Sequence, residues 1–185
     1  MLKFAKAHEE QLKKYFMNTI LDKKYQFVQI GYHAIPEINE DDWNRIQRVS
    51  ILQAGNTSYL LGYFCAFINR TNNMVDQLTI MSFLPEDKYV HLGRVFAKDL
   101  LTFLINLLTT FRKVRFSCCP ENPIVRRYRN LVNKQGIGRA VGTYEKELFI
   151  RGSYYDEECF EILSSPNVIQ KLEDLLKRLE KNNDK

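Results

Sequence analysis

The spacing of hydrophobic residues changes along the chain, and each change marks a different predicted element. Near the N-terminus they recur every three to four residues, which predicts a helix over His8–Asp22. Pro36 breaks the pattern that follows. The polar stretch Asn39–Asp42 ahead of Trp43 has the composition of a helix N-cap and first turn, so the sequence predicts a second, short helix there.

The period then shortens to that of β-strands. We predict strands at Arg48–Gln53, Ser58–Ile68 and Met74–Leu84, separated by turn-forming residues at 54–57 and 69–73. In the third strand, Leu78 and Ile80 alternate with residues of the opposite face. Short turns between successive strands predict an antiparallel meander.

The second half begins with a long helix, because apolar residues recur at three and four positions from Phe96 to Phe111. A strand over Lys113–Cys119 follows. Asn122 before Pro123 predicts an N-cap with proline at the first helical position, and Gly136 predicts the end of that helix.

Two strands and a final helix complete the pattern. We predict strands at Arg139–Ile150 and Glu158–Leu163, with a turn over Arg151–Ser153. Ser165 and Pro166 then predict the start of an amphipathic C-terminal helix, whose apolar residues return at helical spacing.

Composition narrows the class of protein. The chain has 185 residues, of which 45% are hydrophobic and 26% charged, which fits one folded domain over 1–185. The formal charge of +5 favours anionic ligands, but it is weak for a nucleic-acid-binding protein, so we do not expect nucleic acid as a partner. The charged segment Met1–Lys14 has no apolar signal-peptide region, and Leu100–Phe111 is shorter than the ~20 residues of a membrane span. We therefore expect a cytoplasmic protein without a membrane partner.

The four cysteines give no indication of a metal site. They stand at positions 65, 118, 119 and 159, and with the three histidines they show no zinc-ligand spacing. We expect free thiols in a reducing compartment and no metal. Cys118 and Cys119 end a predicted core strand, which favours small buried fillers over a reactive nucleophile.

The order of predicted elements resembles that of the GNAT acetyltransferase superfamily. Asn122 opening a helix, followed by Tyr128 and then Gly136, resembles the C-terminal half of that superfamily. The segment Arg151–Asp156 resembles its "x-G-x-Y-x-D" turn between the last two strands. The resemblance covers about Arg48–Leu163, with helices over 1–47 before it and the C-terminal helix over 164–185 after it. It implies an α+β fold with a mixed, mostly antiparallel central sheet flanked by helices.

The phosphate-binding loop departs from the family pattern of Arg/Gln-x-x-Gly-x-Gly/Ala. The matching stretch, Lys88–Val95, contains one glycine, Gly93. Backbone N–H groups at a helix start can still face a pyrophosphate with one glycine present, and Lys88 and Arg94 can add charge.

The resemblance implies acetyl-CoA as co-substrate in a cleft between Met74–Leu84 and Lys113–Cys119. It places the pantetheine arm beside the backbone of Ser82, Phe83 and Leu84. It places the pyrophosphate over Lys88, His91, Leu92, Gly93 and Arg94, and it makes Asn122 a helix cap that can also touch the arm. Tyr128 becomes the acid that protonates the leaving thiolate. Asp76 and Glu121 are candidate bases.

Two functions from different classes stay open. The first is an N-acetyltransferase that acts on a primary amine, either a small molecule or a peptide, by direct attack. The second is a non-catalytic binding protein that keeps the fold and has lost turnover, for which the single-glycine loop argues. At the residue level, Tyr128 is equally consistent with a core tyrosine and Asn122 with a simple N-cap. Arg126, Arg127 and Arg129 are typical of a solvated helix face. The last helix packs either on the body or on a second copy in a homodimer.

Overall fold

The computed structural model describes residues 1–22, 26–27, 37–84 and 90–181. The strands are β1 Leu2–Phe4, β2 Arg45–Ala54, β3 Thr57–Asn69, β4 Met74–Ser82, β5 Lys113–Cys118, β6 Arg139–Ile150 and β7 Ser153–Leu163. The helices are α1 Glu9–Leu21, α2 Val90–Thr110, α3 Val125–Arg129 and α4 Pro166–Lys181, and α3 continues into a π-helical turn over Asn130–Lys134. Within this part of the chain, no helix is both long and apolar enough to cross a bilayer.

The seven strands form one sheet in the order β1-β2-β3-β4-β5-β7-β6. Among the described ladders, β4 and β5 form the one parallel pair, because α2 carries the chain back across the sheet between them. The predicted mixed, mostly antiparallel sheet with an extra C-terminal helix is therefore confirmed. The short edge strand β1, paired with β2 through Leu2 and Ser50, was not predicted.

Each face of the sheet carries its own apolar core. The face under α2, α3 and α4 buries, among others, Phe64, Phe103 and Leu172. The face under α1 buries Leu12 and Phe16 against the other side of β3. Strand alternation produces this division, since neighbouring residues of β3 and β4 enter opposite cores.

A glycine sets the distance between α2 and the sheet. A Cβ atom on Gly62 of β3 would lie 2.2 Å from Cε2 of Phe96 and 2.5 Å from the carbonyl oxygen of Met81. Only a residue without a side chain leaves room for the Phe96 ring there, so Gly62 allows the second turn of α2 to lie on the strand.

The short helix predicted near Trp43 is wrong. Residues 37–42 form no regular element, and β2 begins at Arg45. The acids ahead of the strand bind its first residues: Asp42 accepts from the Asn44 N–H (2.7 Å), and Asp41 accepts from the Gln47 N–H (3.0 Å). The bond from Asn44 to Asp42 forms an Asx turn, and the bond to Asp41 comes from within β2. Both use the same residue types as a helix cap.

The start of α3 also differs from the prediction. Pro123 is not the first helical residue, because a turn occupies 120–124 and α3 begins at Val125. Gly136 does end the helical segment, with φ of +58°.

The last two strands form a long hairpin, and β7 begins at Ser153 rather than at the predicted Glu158. Arg151 and Gly152 make the turn, both with positive φ. Farther along, the ladder is interrupted between Tyr144 and Leu148, where Asp156 accepts a hydrogen bond from the Lys146 N–H at 2.9 Å. Asp156 of the sequence motif therefore holds a bulge in β6.

The C-terminal helix packs on the body, as one of the two sequence interpretations expects. Ser165 caps it by accepting from the Val168 N–H at 3.2 Å. Leu172 is fully buried in the core that α2 shares, and Lys98 of α2 lies 3.5 Å from Glu180. Helix α4 therefore lies along α2, on the same side of the sheet as α3.

Candidate functional site

The central feature of the candidate site is the separation of β4 from β5. The two strands pair at Met74–Lys113 and Val75–Val114. Asp76 then has no partner in β3, where the register jumps between the pairs Ile68–Val75 and Phe67–Gln77. This β-bulge lies where the parallel ladder ends, so β4 stays with β3 while β5 pairs with β7.

The separation leaves backbone groups of β4 facing the opening. The Phe83 N–H donates to the Leu61 carbonyl of β3 at 2.9 Å, so that group is already bound within the sheet. Successive strand residues direct their backbone groups to opposite edges, so the N–H and C=O of Ser82 face away from β3. The Leu84 N–H lies 3.4 Å from Ser82 Oγ. Of the residues predicted for pantetheine binding, Ser82 therefore directs its backbone to the opening, whereas the Phe83 N–H is bound within the sheet.

The first turn of α2 contains three of the residues predicted at the pyrophosphate. Leu92, Gly93 and Arg94 are half-buried there, and a Cβ atom on Gly93 would meet nothing within 4 Å. The space beside this turn is therefore open on the Gly93 side. Lys88 and the side chain of His91 lie outside the described residues.

Tyr128 lies in the core on the buried side of α3. Its ring packs edge-on against Phe116 of β5 and Phe160 of β7, with ring centroids 4.9 and 5.8 Å away. Burial raises the pKa of the Tyr128 hydroxyl well above its usual value, so this group keeps its proton throughout the neutral range. Tyr128 is therefore a core tyrosine, and its ring also borders the cavity described below.

Asn122 fixes the approach to α3. Its side-chain oxygen accepts from the Ile124 N–H (3.0 Å), and its amide nitrogen donates to the Phe27 carbonyl (2.8 Å). The predicted capping role becomes an Asx turn before the helix. The bond to Phe27 ties this turn to the N-terminal part of the chain, 95 positions away.

A cavity of about 280 Å³ lies between the sheet and the three helices α2, α3 and α4. Leu78 and Ile80 of β4 and Phe116 of β5 form its floor, so it lies beside the separated strands. Tyr128 borders it from α3. Leu175 and Leu179 of α4 line its outer side. Helix α4 therefore covers part of the gap between α2 and α3.

The two candidate bases lie away from this cavity. The exposed Asp76 carboxylate accepts from the Asn69 side-chain amide at 2.9 Å and lies 3.8 Å from the Arg115 guanidinium. Glu121 accepts from the Cys119 thiol at 2.8 Å. Neither residue lines the cavity.

The cysteines of this region are protonated. Burial, together with the Glu121 carboxylate, raises the pKa of Cys119 to about 12, and burial raises that of Cys118 to about 12. A thiol with so high a pKa is a poor nucleophile at neutral pH. In the described part of the chain, no three His, Cys, Asp or Glu side chains are grouped as metal ligands.

Three features of the cavity lining were not predicted from the sequence. Arg127 and Arg178 line the cavity from α3 and α4 and are exposed. The leucines of α4 belong to the site as well. The amphipathic pattern of α4 could have indicated that its apolar face covers something, although it does not say what.

The sheet is mixed, and its two parallel strands separate beside a cavity that Tyr128 borders. This arrangement of strands and helices defines a class of fold. It is the fold of the GNAT N-acetyltransferases, as the sequence resemblance implies. No model of a known protein family matches the chain. No curated protein sequence matches it either.

Solved structures do match. The chain is similar to the spermidine N-acetyltransferase of Vibrio cholerae solved with CoA and spermine, with a TM-score of 0.63 and 18% identity over 89% of this chain and 95% of that one. It is also similar to a GCN5-related N-acetyltransferase of Brucella melitensis, with a TM-score of 0.61 and 13% identity over 90% and 78% of the two chains. It is similar as well to a probable GNAT-family acetyltransferase of Chromobacterium violaceum, with a TM-score of 0.60 and 14% identity over 89% of this chain and 86% of that one. At these identities the likeness concerns the fold.

Proposed function

We propose that this chain is an acyl-CoA-dependent N-acetyltransferase, which transfers an acetyl group from acetyl-CoA to a primary amine by direct attack. The observation that carries the proposal is the opening of β4 away from β5 beside the cavity that Tyr128 borders. It supports the proposal because it combines an unpaired strand edge with a protonated side chain at the same end of the sheet.

The residues present fit an acyl-CoA. The Ser82 backbone offers one donor and one acceptor at an open strand edge, to which an amide-containing arm can add as a strand would. The first turn of α2 offers backbone N–H groups to phosphates, with open space at Gly93. We propose Leu92, Gly93 and Arg94 for this role, together with Lys88 and His91.

Bound acetyl-CoA supplies the acetyl group as a thioester, which a neutral amine can attack. A backbone N–H of the open β4 edge, separate from the Ser82 N–H that binds the arm, is the donor we assign to the negative charge that develops on the carbonyl oxygen. The Tyr128 hydroxyl is protonated at neutral pH because burial raises its pKa, and we assign to it the proton that the sulfur takes as the C–S bond breaks, since it borders the cavity. The new C–N bond forms while the amine loses a proton to water, and Asp76 and Glu121 are the proposed acceptors through that water, since neither lines the cavity.

The experiment begins with calorimetric titration of acetyl-CoA, followed by acetyl transfer to a panel of amines. Spermidine belongs in the panel because one similar structure is a spermidine N-acetyltransferase. We expect Tyr128→Phe to lower kcat by about 10²-fold or more while acetyl-CoA still binds. Tyr144→Phe is the matched control, since Tyr144 is exposed on β6. Unchanged turnover in Tyr128→Phe would remove this residue from the mechanism.

A non-catalytic binding protein is the second candidate, and two observations favour it. Helix α4 covers part of the gap between α2 and α3. The Asn122 side chain is also bound within the chain on both its oxygen and its nitrogen. If acetyl-CoA gave no heat up to about 1 mM, a Kd no better than the millimolar range would favour this candidate over the enzyme.

A further inference from the structure

The cavity under α4 has the lining of a binding site for an aliphatic chain. Twelve of its fifteen lining residues have purely hydrocarbon side chains, and the other three are Tyr128, Arg127 and Arg178. A ligand with polar groups along its length would leave those groups unpaired against leucine and phenylalanine, which is costly. The lining therefore selects a hydrocarbon.

The dimensions of the cavity fit a chain of medium length. Lining residues of α2 run from Phe96 to Leu104, and eight residues at 1.5 Å of helical rise span about 12 Å. An engineered apolar cavity of about 150 Å³ holds one benzene molecule. A cavity of 280 Å³ has nearly twice that volume, which gives room for about eight to ten carbon atoms.

The positive charges beside the cavity indicate which chemical group ends the ligand's aliphatic chain. Arg127 and Arg178 line the cavity from two different helices, and among the described residues no carboxylate is paired with either of them. Their neighbours behave differently, since Arg129 is bound by Glu158 and Lys98 lies beside Glu180. Two guanidinium groups that pair with no carboxylate of the described residues, beside an apolar cavity, favour a carboxylate, a phosphate or another anion at the mouth.

We propose that the cavity between α2, α3 and α4 binds a straight aliphatic chain of about eight to ten carbons, with its anionic end beside Arg127 and Arg178. This site goes beyond the proposed function, because binding of the chain requires no acyl transfer. A free fatty acid carries both the chain and the anionic end. A fatty acyl-CoA carries the same chain, but that chain ends in an uncharged thioester and the anionic groups lie beyond the pantetheine arm, so the two sources differ at the mouth of the cavity.

The test is calorimetric titration of decanoate into the whole protein, with decanol and decylamine as uncharged and cationic probes of the same length. We expect decanoate to bind more tightly than decylamine, because a cation would face the two arginines. The double variant Arg127→Gln, Arg178→Gln should weaken decanoate about tenfold and leave decanol unchanged. Arg126→Gln is the matched control, since Arg126 is exposed on the same helix and does not line the cavity.

A second variant tests the cavity itself. Ala97→Phe places a ring in the cavity and should abolish decanoate binding, while circular dichroism and the urea midpoint report whether the fold persists. If Ala97→Phe does not fold, Leu131→Phe makes the same test from α3. Decanoate binding that survives a folded filling variant, or no binding up to about 1 mM, would overturn the proposal.

Comparison with decanoyl-CoA separates the two sources. Tighter binding of decanoyl-CoA than of both decanoate and CoA assigns the site to an acyl-CoA chain and overturns the anionic chain end, whereas equal or weaker binding supports a free fatty acid. Failure of acetyl transfer with decanoate still bound would count against the proposed function and leave this site intact.

Discussion

The two faces of the sheet are packed in different ways. Under α1, Phe16 is fully buried, with its ring edge-on to Tyr63 and Phe83 at centroid distances of 5.4 and 5.9 Å. A buried hydrogen bond of 2.8 Å from the Tyr63 hydroxyl to Gln47 lies within the same core. Under α2, α3 and α4, a cavity of 280 Å³ lies inside an otherwise dense core. The two faces therefore differ in a feature that can be tested: side chains fill the described α1 core around Phe16, and the other core borders a cavity.

The largest expected effect tests this comparison through two matched leucines. Leu12→Ala removes a fully buried side chain from the α1 face and should lower the free energy of unfolding by about 2–5 kcal/mol. Leu100→Ala removes a half-buried side chain that borders the cavity, and it should cost about 1–2 kcal/mol because fewer contacts are lost. Urea denaturation of both variants measures the difference. Equal losses would mean that the cavity face is packed as tightly as the other.

An intermediate effect is expected from two glycines on the cavity side. Gly62→Ala places a Cβ atom against Phe96 and the Met81 carbonyl, and should destabilise the fold by about 1–3 kcal/mol. Gly93→Ala meets open space and lies within α2, so it should raise stability by about 0.5–1 kcal/mol. Thermal unfolding measures the effect of Gly93→Ala on stability, and calorimetric titration measures its effect on acetyl-CoA binding. If this turn holds phosphate, Gly93→Ala should weaken acetyl-CoA binding while it raises Tm.

The smallest effect concerns the charged part of the α1 side of the sheet, around Glu161 of β7. Burial raises the pKa of Glu161, but the hydrogen bond from Arg139 (2.8 Å) and the ammonium of Lys113 (3.1 Å) outweigh it, so its pKa lies below 4.5. A depressed pKa contributes stability that is fully present above 4.5 and is lost as the pH falls through the lower value.

Glu161→Gln should therefore cost about 1 kcal/mol at pH 7 and progressively less below pH 4.5. Urea midpoints measured between pH 7 and pH 3 report this convergence. A constant difference between variant and wild type across that range would show that the Glu161 charge is not the cause.

Much of the fold could be predicted because its elements are long and strongly periodic. The helix through Phe96 and Leu104 and the meander through Phe64 lie where the spacing of apolar residues indicates. Strand β1 could not be predicted, because three residues give no period. The segment before Trp43 misled the prediction because Asp41 and Asp42 bind strand residues with the chemistry of a helix cap.

The candidate site was less predictable, because it depends on contacts between distant parts of the chain. The apolar spacing of its helix correctly gave Tyr128 a buried position. The hydrogen bond from Asn122 to Phe27 joins residues far apart in sequence. The same is true of the cavity lining, to which Leu179 of the C-terminal helix contributes. An amphipathic pattern shows that a helix has an apolar side, and tertiary packing decides what covers it.

The bulge that Asp156 holds in β6 also limits how the sheet can grow. Strand β6 is one of the two edge strands of the sheet, twelve residues long and exposed over nearly its whole length. Such an edge offers unpaired N–H and C=O groups to any other extended chain, which is how ordered aggregates begin. The break between Tyr144 and Leu148 divides this edge into two short runs. No continuous twelve-residue template is therefore presented to a second sheet, and one aspartate serves as protection against polymerisation.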